Sequence, residues 1–163
     1  MELDNLKVFC LNLDERPERW AEVQEEIKVL GLEMERFSAI KRDVGWEGCR
    51  ASHLALWEKA RPLGIWMTIE DDILFLPGAK ENLVKAVAQL PKNWDMLYLG
   101  ATLNQPLERL SDNLLRLKKG WTTHGIIYNN QNGVVDQLLS GYYGWKIDVL
   151  LADIIQHKYN CYM

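Results

Sequence analysis

The chain has 163 residues, 48% of them hydrophobic, and 23 acidic against 19 basic side chains leave a net charge of −4. That length and apolar content predict a single domain, residues 1–163, able to bury roughly two-thirds of its unfolded surface, and they exclude a disordered chain. The acidic balance argues against nucleic acid or an acidic membrane as the main partner, and no apolar run approaches the ~20 residues of a membrane span. The N-terminus carries acids where a signal peptide carries bases, so a cytoplasmic protein is expected. Cys10, Cys49 and Cys161, odd in number and without a CxxC spacing, read as reduced thiols.

Residues 6–13 (LKVFCLNL) form a first buried strand ending at Asn12 or Leu13. In the DERPER that follows, Pro17 suits a first helical position. Trp20, Val23, Ile27 and Leu30 then recur at three- and four-residue spacing until Gly31 ends the helix. This turn places Arg16 and Arg19 on one helix face near a sheet edge. There they can fork onto a diphosphate, or pair with Glu15, Glu18 or Glu22 on the helix surface. Residues 33–40 predict a second strand and 41–48 a glycine-bearing loop. Residues 49–60 predict a helix whose Leu54, Leu56, Trp57 and Ala60 face the sheet and whose first turns carry Ser52 and His53.

The centre of the chain is IWMTIEDD, residues 65–72. Its apolar run of β-formers has the pattern of a strand covered on both faces. Ending near Glu70, it leaves Glu70, Asp71 and Asp72 at its carboxyl end, where open α/β sheets gather ligands. At ~4–5 Å and an effective dielectric of about 20, each like-charged pair costs roughly 3–4 kcal/mol. A divalent cation offsets this, and hard oxygen ligands suit Mg²⁺ or Mn²⁺, which in turn can hold the two phosphates of a nucleotide diphosphate. The plain alternative is a solvated acidic turn. Alternation along the strand puts Glu70 and Asp72 on one side and Asp71 on the other, so all three need not touch an ion.

Pro77 and Gly78 open another amphipathic helix carrying Leu83, Val87 and Leu90, and residues 94–100 form a further buried strand. This βα alternation predicts a largely parallel sheet with right-handed crossovers. Residues 101–113 read as a polar loop. Residues 114–117 and 121–128 read as two strands joined in a hairpin at Lys118, Lys119 and Gly120, which makes the sheet mixed. Residues 129–140 predict a short helix broken at 141–144, and 147–156 a last helix with Asp148 near its start. Trp46, Trp94, Trp121 and Trp145 fall in or beside loops, to stack on a sugar or to pack a core.

The segments CLNLDERPERW, GCRASHLALWEKARPLGIWMTIEDDILF, WDMLYLG, THGIIYNN and KIDVLL follow one another in the order and approximate spacing of glycosyltransferase family 25. The chain resembles that family's lipooligosaccharide and procollagen galactosyltransferases over nearly its whole length. The resemblance implies an α/β, GT-A-like nucleotide-diphospho-sugar transferase fold, with a mixed, mostly parallel sheet flanked by helices. It also implies Mn²⁺ or Mg²⁺ dependence and inverting transfer of galactose or glucose from a UDP-sugar to a hydroxyl of a glycan or protein acceptor, as in lipopolysaccharide or other glycan biosynthesis.

Carried over by residue, it implies nucleotide-sugar binding by Asn12, Arg16, Arg19, Ser52, His53 and Asp71, a metal held by Asp72 with Glu70, His124 just before the family's small-aromatic strand, and Asp148 on the acceptor side. An inverting displacement needs a base for the acceptor hydroxyl, worth ~10²–10⁴-fold. Asp148 is the first candidate, with His124 and Asp153 the others. Family members continue past the point matching Met163, so a partner chain or second copy completing the site is one expectation and loss of transfer the other. A nucleotide-sugar-binding or scaffold protein and a UDP-sugar hydrolase are the competing readings.

Overall fold

The computed structural model describes residues 3–104, 106–141 and 144–163. Strand β1 (Lys7–Asn12) sends Val8 and Cys10 into one core and Phe9 and Leu11 into the other, as the two-residue period of a strand requires. Helix α1 (Pro17–Glu26) starts on its proline, continues as a 3₁₀ turn over Ile27–Val29, and stops before Gly31, whose φ of +66° suits only glycine comfortably. Strand β2 (Met34–Ser38) pairs parallel with β1.

Helix α2 spans Gly45–Ala60, starting one turn earlier than its glycines suggest, so Ser52 and His53 lie inside the helix and not in its first turns. Its buried face is Ser52, His53, Leu56, Trp57 and Ala60, whereas Leu54, expected on that face, is half-buried. Gly48 is there for close approach, because a Cβ would meet the Ile40 carbonyl oxygen at 2.7 Å and the Arg42 nitrogen at 3.2 Å. Gly48→Ala gains about 1 kcal/mol in helix propensity but forces backbone apart, which typically costs 1–3 kcal/mol. A lower urea midpoint is expected, together with a widened gap between α2 and the 40–42 segment.

Strand β3 (Ile65–Glu70) pairs parallel with β1, placing Glu70 opposite Leu11. After helix α3 (Ala79–Gln89) come the short strand β4 (Met96–Tyr98), β5 (Glu108–Ser111), β6 (Leu114–Arg116) and β7 (Gly125–Asn129). Helix α4 (Val134–Leu139) follows, then α5 (Ile147–Leu150), which passes through a π-helical segment (Leu151–Ile155) into α6 (Gln156–Lys158) and strand β8 (Cys161–Tyr162). The expected helix break at 141–144 includes Tyr142 and Tyr143, which lie outside the described residues. No helix among the described residues is long and apolar enough to cross a membrane.

The sheet order is β2-β1-β3-β7-β4-β8-β6-β5, mixed and flanked by helices, which is compatible with a GT-A-like arrangement. The expected hairpin between residues 114–117 and 121–128 does not form. Strand β7 instead inserts antiparallel between β3 and β4. Strand β6 pairs with β5, in a segment that reads as polar loop, through a turn at Asp112 and Asn113. All five residues of β7 are buried, so it gains most at the sheet centre, whereas the exposed Glu108, Arg109 and Leu110 of β5 suit an edge.

One core lies under α2, α4 and α5, around Trp57, Trp66, Tyr98 and Tyr128, and the other under α1 and α3, around Met67, Ile69, Leu83 and Ile127. Buried Asp95 ties the last strand down by accepting from the Asn160 backbone N–H at 2.7 Å and the Asn132 amide at 2.8 Å. Trp94 belongs to the core, which excludes it from sugar stacking.

Candidate active site

Parallel pairing of β1 with β3 brings Asn12 and the acidic triplet to one sheet edge. Asn12 is buried and fully used: its amide donates to Asp71 Oδ2 at 2.7 Å and to the Arg16 carbonyl at 3.0 Å, and its oxygen accepts from Arg36 Nε at 2.7 Å. Arg19 donates to Asp71 Oδ1 at 3.1 Å and stands 3.6 Å from Asp72 Oδ2. Both oxygens of Asp71 are therefore engaged by side chains from the β1–α1 unit, which offsets much of the repulsion within the triplet. Arg16 pairs with Glu18 at the surface. Ser52 spends its hydroxyl on the protein, donating to the Gly48 carbonyl and accepting from the Ile40 N–H, each at 2.7 Å.

Glu70 is held from two sides. Its Oε1 accepts from Thr123 Oγ1 at 2.6 Å and faces His53 Nε2 at 3.2 Å, while Oε2 lies 3.3 Å from His124 Nδ1, itself 3.4 Å from Asp72 Oδ1. Burial alone would raise the Glu70 carboxyl, but the hydrogen bonds with His124, His53 and Thr123 outweigh it and hold the group well below the usual carboxylate range. The His124 imidazole is raised, chiefly by its hydrogen bond to Glu70, against partial burial and with help from the charge of Asp72. Thr122 sits at φ +84°, a left-handed conformation that costs a non-glycine residue roughly 1–2 kcal/mol and delivers Thr123 and His124 to the carboxylates.

These opposite shifts set a pH window for the protein without bound metal. Glu70 contributes stability present above its ordinary value of 4.5 and lost as pH falls. His124 contributes stability fully present below its ordinary value of 6.5 and lost as pH rises through its raised value. Asp72 and His53 face the same pair. Urea midpoints measured against pH should show a maximum in this window relative to His124→Gln, whose profile should lack the decline on the alkaline side.

Two cavities adjoin the triplet. The smaller, about 300 Å³, is lined by Arg16, Arg19, Lys41 and Arg42 together with Cys49, Ser52 and all three acids. The larger, about 590 Å³, is mainly apolar, with Leu74, Phe75, Leu76 and Leu99 on its walls and His124 and Thr122 beside them. Asp72 lines both. Glu70 Oε2, Asp72 and His124 form a set of potential metal ligands lying within 4.8 Å of one another.

No protein-family model matches the chain. It is 27% identical over 149 residues to an Acanthamoeba polyphaga mimivirus protein with a provisional glycosyltransferase name, covering 75% of this chain and 45% of that one. It is 27% identical over 125 residues to a glycosyltransferase 25 family member of Aedes aegypti, covering 57% of this chain and 21% of the relative. The chain is similar in sequence to proteins named as glycosyltransferase 25 family members. A Drosophila melanogaster family 25 member matches at 23% identity over 164 residues, covering 78% of this chain and 27% of its own length. The chain thus spans less than half the length of these curated relatives.

Against the family 25 expectation, Asn12, Arg16, Arg19, Ser52, His53, Glu70, Asp71, Asp72 and His124 gather at one end of the sheet. Asp148 lies in the first turn of α5, half-buried, lining neither cavity, though its charge reaches Cys49 on the smaller cavity's wall. Asp153 pairs with Lys119 at 2.6 Å and also lines neither. Sequence reasoning missed Thr123, Arg36, Lys41 and Arg42. Thr123 was legible only as the polar neighbour of His124, and the cationic loop residues carry no periodic signal.

Proposed function

We propose that this chain is the donor-binding and metal-binding part of an inverting glycosyltransferase moving galactose or glucose from a UDP-sugar to a hydroxyl of a glycan or protein acceptor. The observation that carries this reading is the convergence of Glu70, Asp72 and His124 between two cavities of different character, one lined by four cationic side chains and the acidic triplet and one mainly apolar, with Asp72 common to both. Arg16, Arg19, Lys41 and Arg42 bind the diphosphate in the smaller cavity, where guanidinium forks match phosphate oxygens. Asp71 holds Arg19 and Asn12 in place for that task, and Ser52 supports the 40–42 wall.

Two carboxylates and one imidazole fit Mn²⁺, with Mg²⁺ the harder alternative, and Glu70, Asp72 and His124 would hold it. When bound, the ion supplies the positive charge that stabilises the departing UDP. The acceptor enters the larger cavity with its hydroxyl towards Asp72, and Asp148, which lines neither cavity wall, takes its proton through a bridging water. The free thiols Cys10, Cys49 and Cys161 fit a reducing, cytoplasmic setting.

Hydrolysis of the UDP-sugar is the second reading, favoured by one observation: the expected base, Asp148, lines neither cavity, so water can take the acceptor's place. Incubation with labelled UDP-galactose and UDP-glucose, with Mn²⁺ or a chelator, separates the two by whether label appears on an acceptor glycan or as free sugar. Asp148→Asn is expected to lower transfer by ~10²–10⁴-fold while leaving UDP-sugar affinity unchanged. Undiminished transfer by that variant removes Asp148 from the reaction.

A further inference from the structure

We propose that Cys49, His53 and Oε1 of Glu70 form a second metal site, for a thiophilic dication such as Zn²⁺, on the buried side of the acidic triplet. Cys49 and His53 are four residues apart on α2 and so share a face, and Glu70 meets them from the end of β3. One potential ligand atom from each lies within 4.8 Å of the other two. In a tetrahedral site with bonds of ~2.0–2.3 Å, neighbouring ligand atoms stand roughly 3.5 Å apart, so side-chain shifts on the order of 1 Å close the set. The His53 to Glu70 contact, at 3.2 Å, is already at that spacing.

Two further observations point to a ligand. His53 is 0% exposed, its Nε2 meets only Glu70 Oε1 among its hydrogen-bond partners and its Nδ1 has no partner among the described residues, so neither ring nitrogen is committed to a backbone group that would keep it from an ion. Cys49 lines the smaller cavity, which gives an ion an access route and a water for the fourth position. The carboxylates of Glu70, Asp148 and Asp72 surround Cys49, and their negative charge attracts a dication. Binding releases the thiol proton to solvent, and the thiolate becomes the ligand.

Ligand chemistry sorts the ions. Thiolate with imidazole selects Zn²⁺ or Co²⁺, whereas the outer set of Glu70 Oε2, Asp72 and His124 is richer in oxygen and suits Mn²⁺. Glu70 belongs to both through its two oxygens, so an ion on the inner side fixes the carboxylate that the outer set uses. This site stands on geometry that does not depend on transferase activity.

The test uses Co²⁺ alone, without nucleotide sugar. One equivalent should give the intense near-ultraviolet thiolate-to-cobalt charge-transfer band in the unmodified chain and in Asp72→Asn, lose it in Cys49→Ser, and be displaced by Zn²⁺. Zn²⁺ should also protect Cys49 from alkylation in the unmodified chain, read by peptide mass, which keeps the test independent of how Cys49→Ser folds. No charge-transfer band, a band that survives in Cys49→Ser, or Cys49 alkylation unaffected by Zn²⁺ would overturn the site.

Discussion

Asp72→Ala is expected to lower transfer by on the order of 10²–10³-fold and to abolish any stimulation of UDP binding by Mn²⁺. Asp72 lines both the smaller, charged cavity and the larger, apolar one, 3.4 Å from His124 and 3.6 Å from Arg19. It is also half-exposed, so its removal should change folding stability by no more than about 0.5 kcal/mol, and the loss of function can be read without a confounding loss of fold. Asp71→Asn should behave differently. It can keep one acceptor oxygen for Asn12 but loses the carboxylate oxygen that accepts from Arg19, so Arg19 is no longer held and nucleotide affinity should fall in the presence and absence of metal alike. Equal metal dependence in Asp72→Ala and the unmodified chain, by isothermal calorimetry, would remove Asp72 from the ion.

Trp57→Ala should be the most damaging single truncation, at about 3–5 kcal/mol of stability. Trp57 is fully buried, its ring tilted against His53 with centroids 5.7 Å apart and edge-on to Tyr128 at 6.0 Å, and Tyr128 in turn stacks on Trp66 at 5.4 Å. The void would open between α2 and the sheet and remove the surface that holds the His53 ring towards Glu70. At roughly 2–4 °C per kcal/mol for a chain of this size, thermal unfolding should drop by about 10 °C. Trp57→Phe, which keeps most of the volume, should recover more than half. A thermal midpoint within about 2 °C of the unmodified chain in Trp57→Ala would show that this cluster does not anchor the helix.

The parts of this molecule legible in sequence are those set by local physics. β1, α1 and β3 follow from apolar runs, a proline start and a glycine stop, and the acidic triplet emerges where β3 ends. What sequence could not show was non-local pairing. Nothing in Gly125–Asn129 says that it enters antiparallel between β3 and β4, or that the two residues Cys161–Tyr162 close the gap between β4 and β6. The pairing of β7 with β3 brings Thr123 and His124 to Glu70, so these contacts, and Thr123 itself, were not legible although His53, Glu70 and His124 were. Gly45 and Gly48 misled in the opposite direction: they read as loop because glycine is a poor helix former, but contact with the Ile40 carbonyl leaves no room for a side chain at Gly48.

The most direct test of a metal-dependent donor site is calorimetric titration of UDP-galactose and UDP-glucose into this chain, with and without Mn²⁺, and again into Asp72→Ala. Binding of at least one of the two that requires Mn²⁺ and disappears in the variant is predicted. Absence of binding under both metal conditions, or binding that is the same in Asp72→Ala, would contradict it.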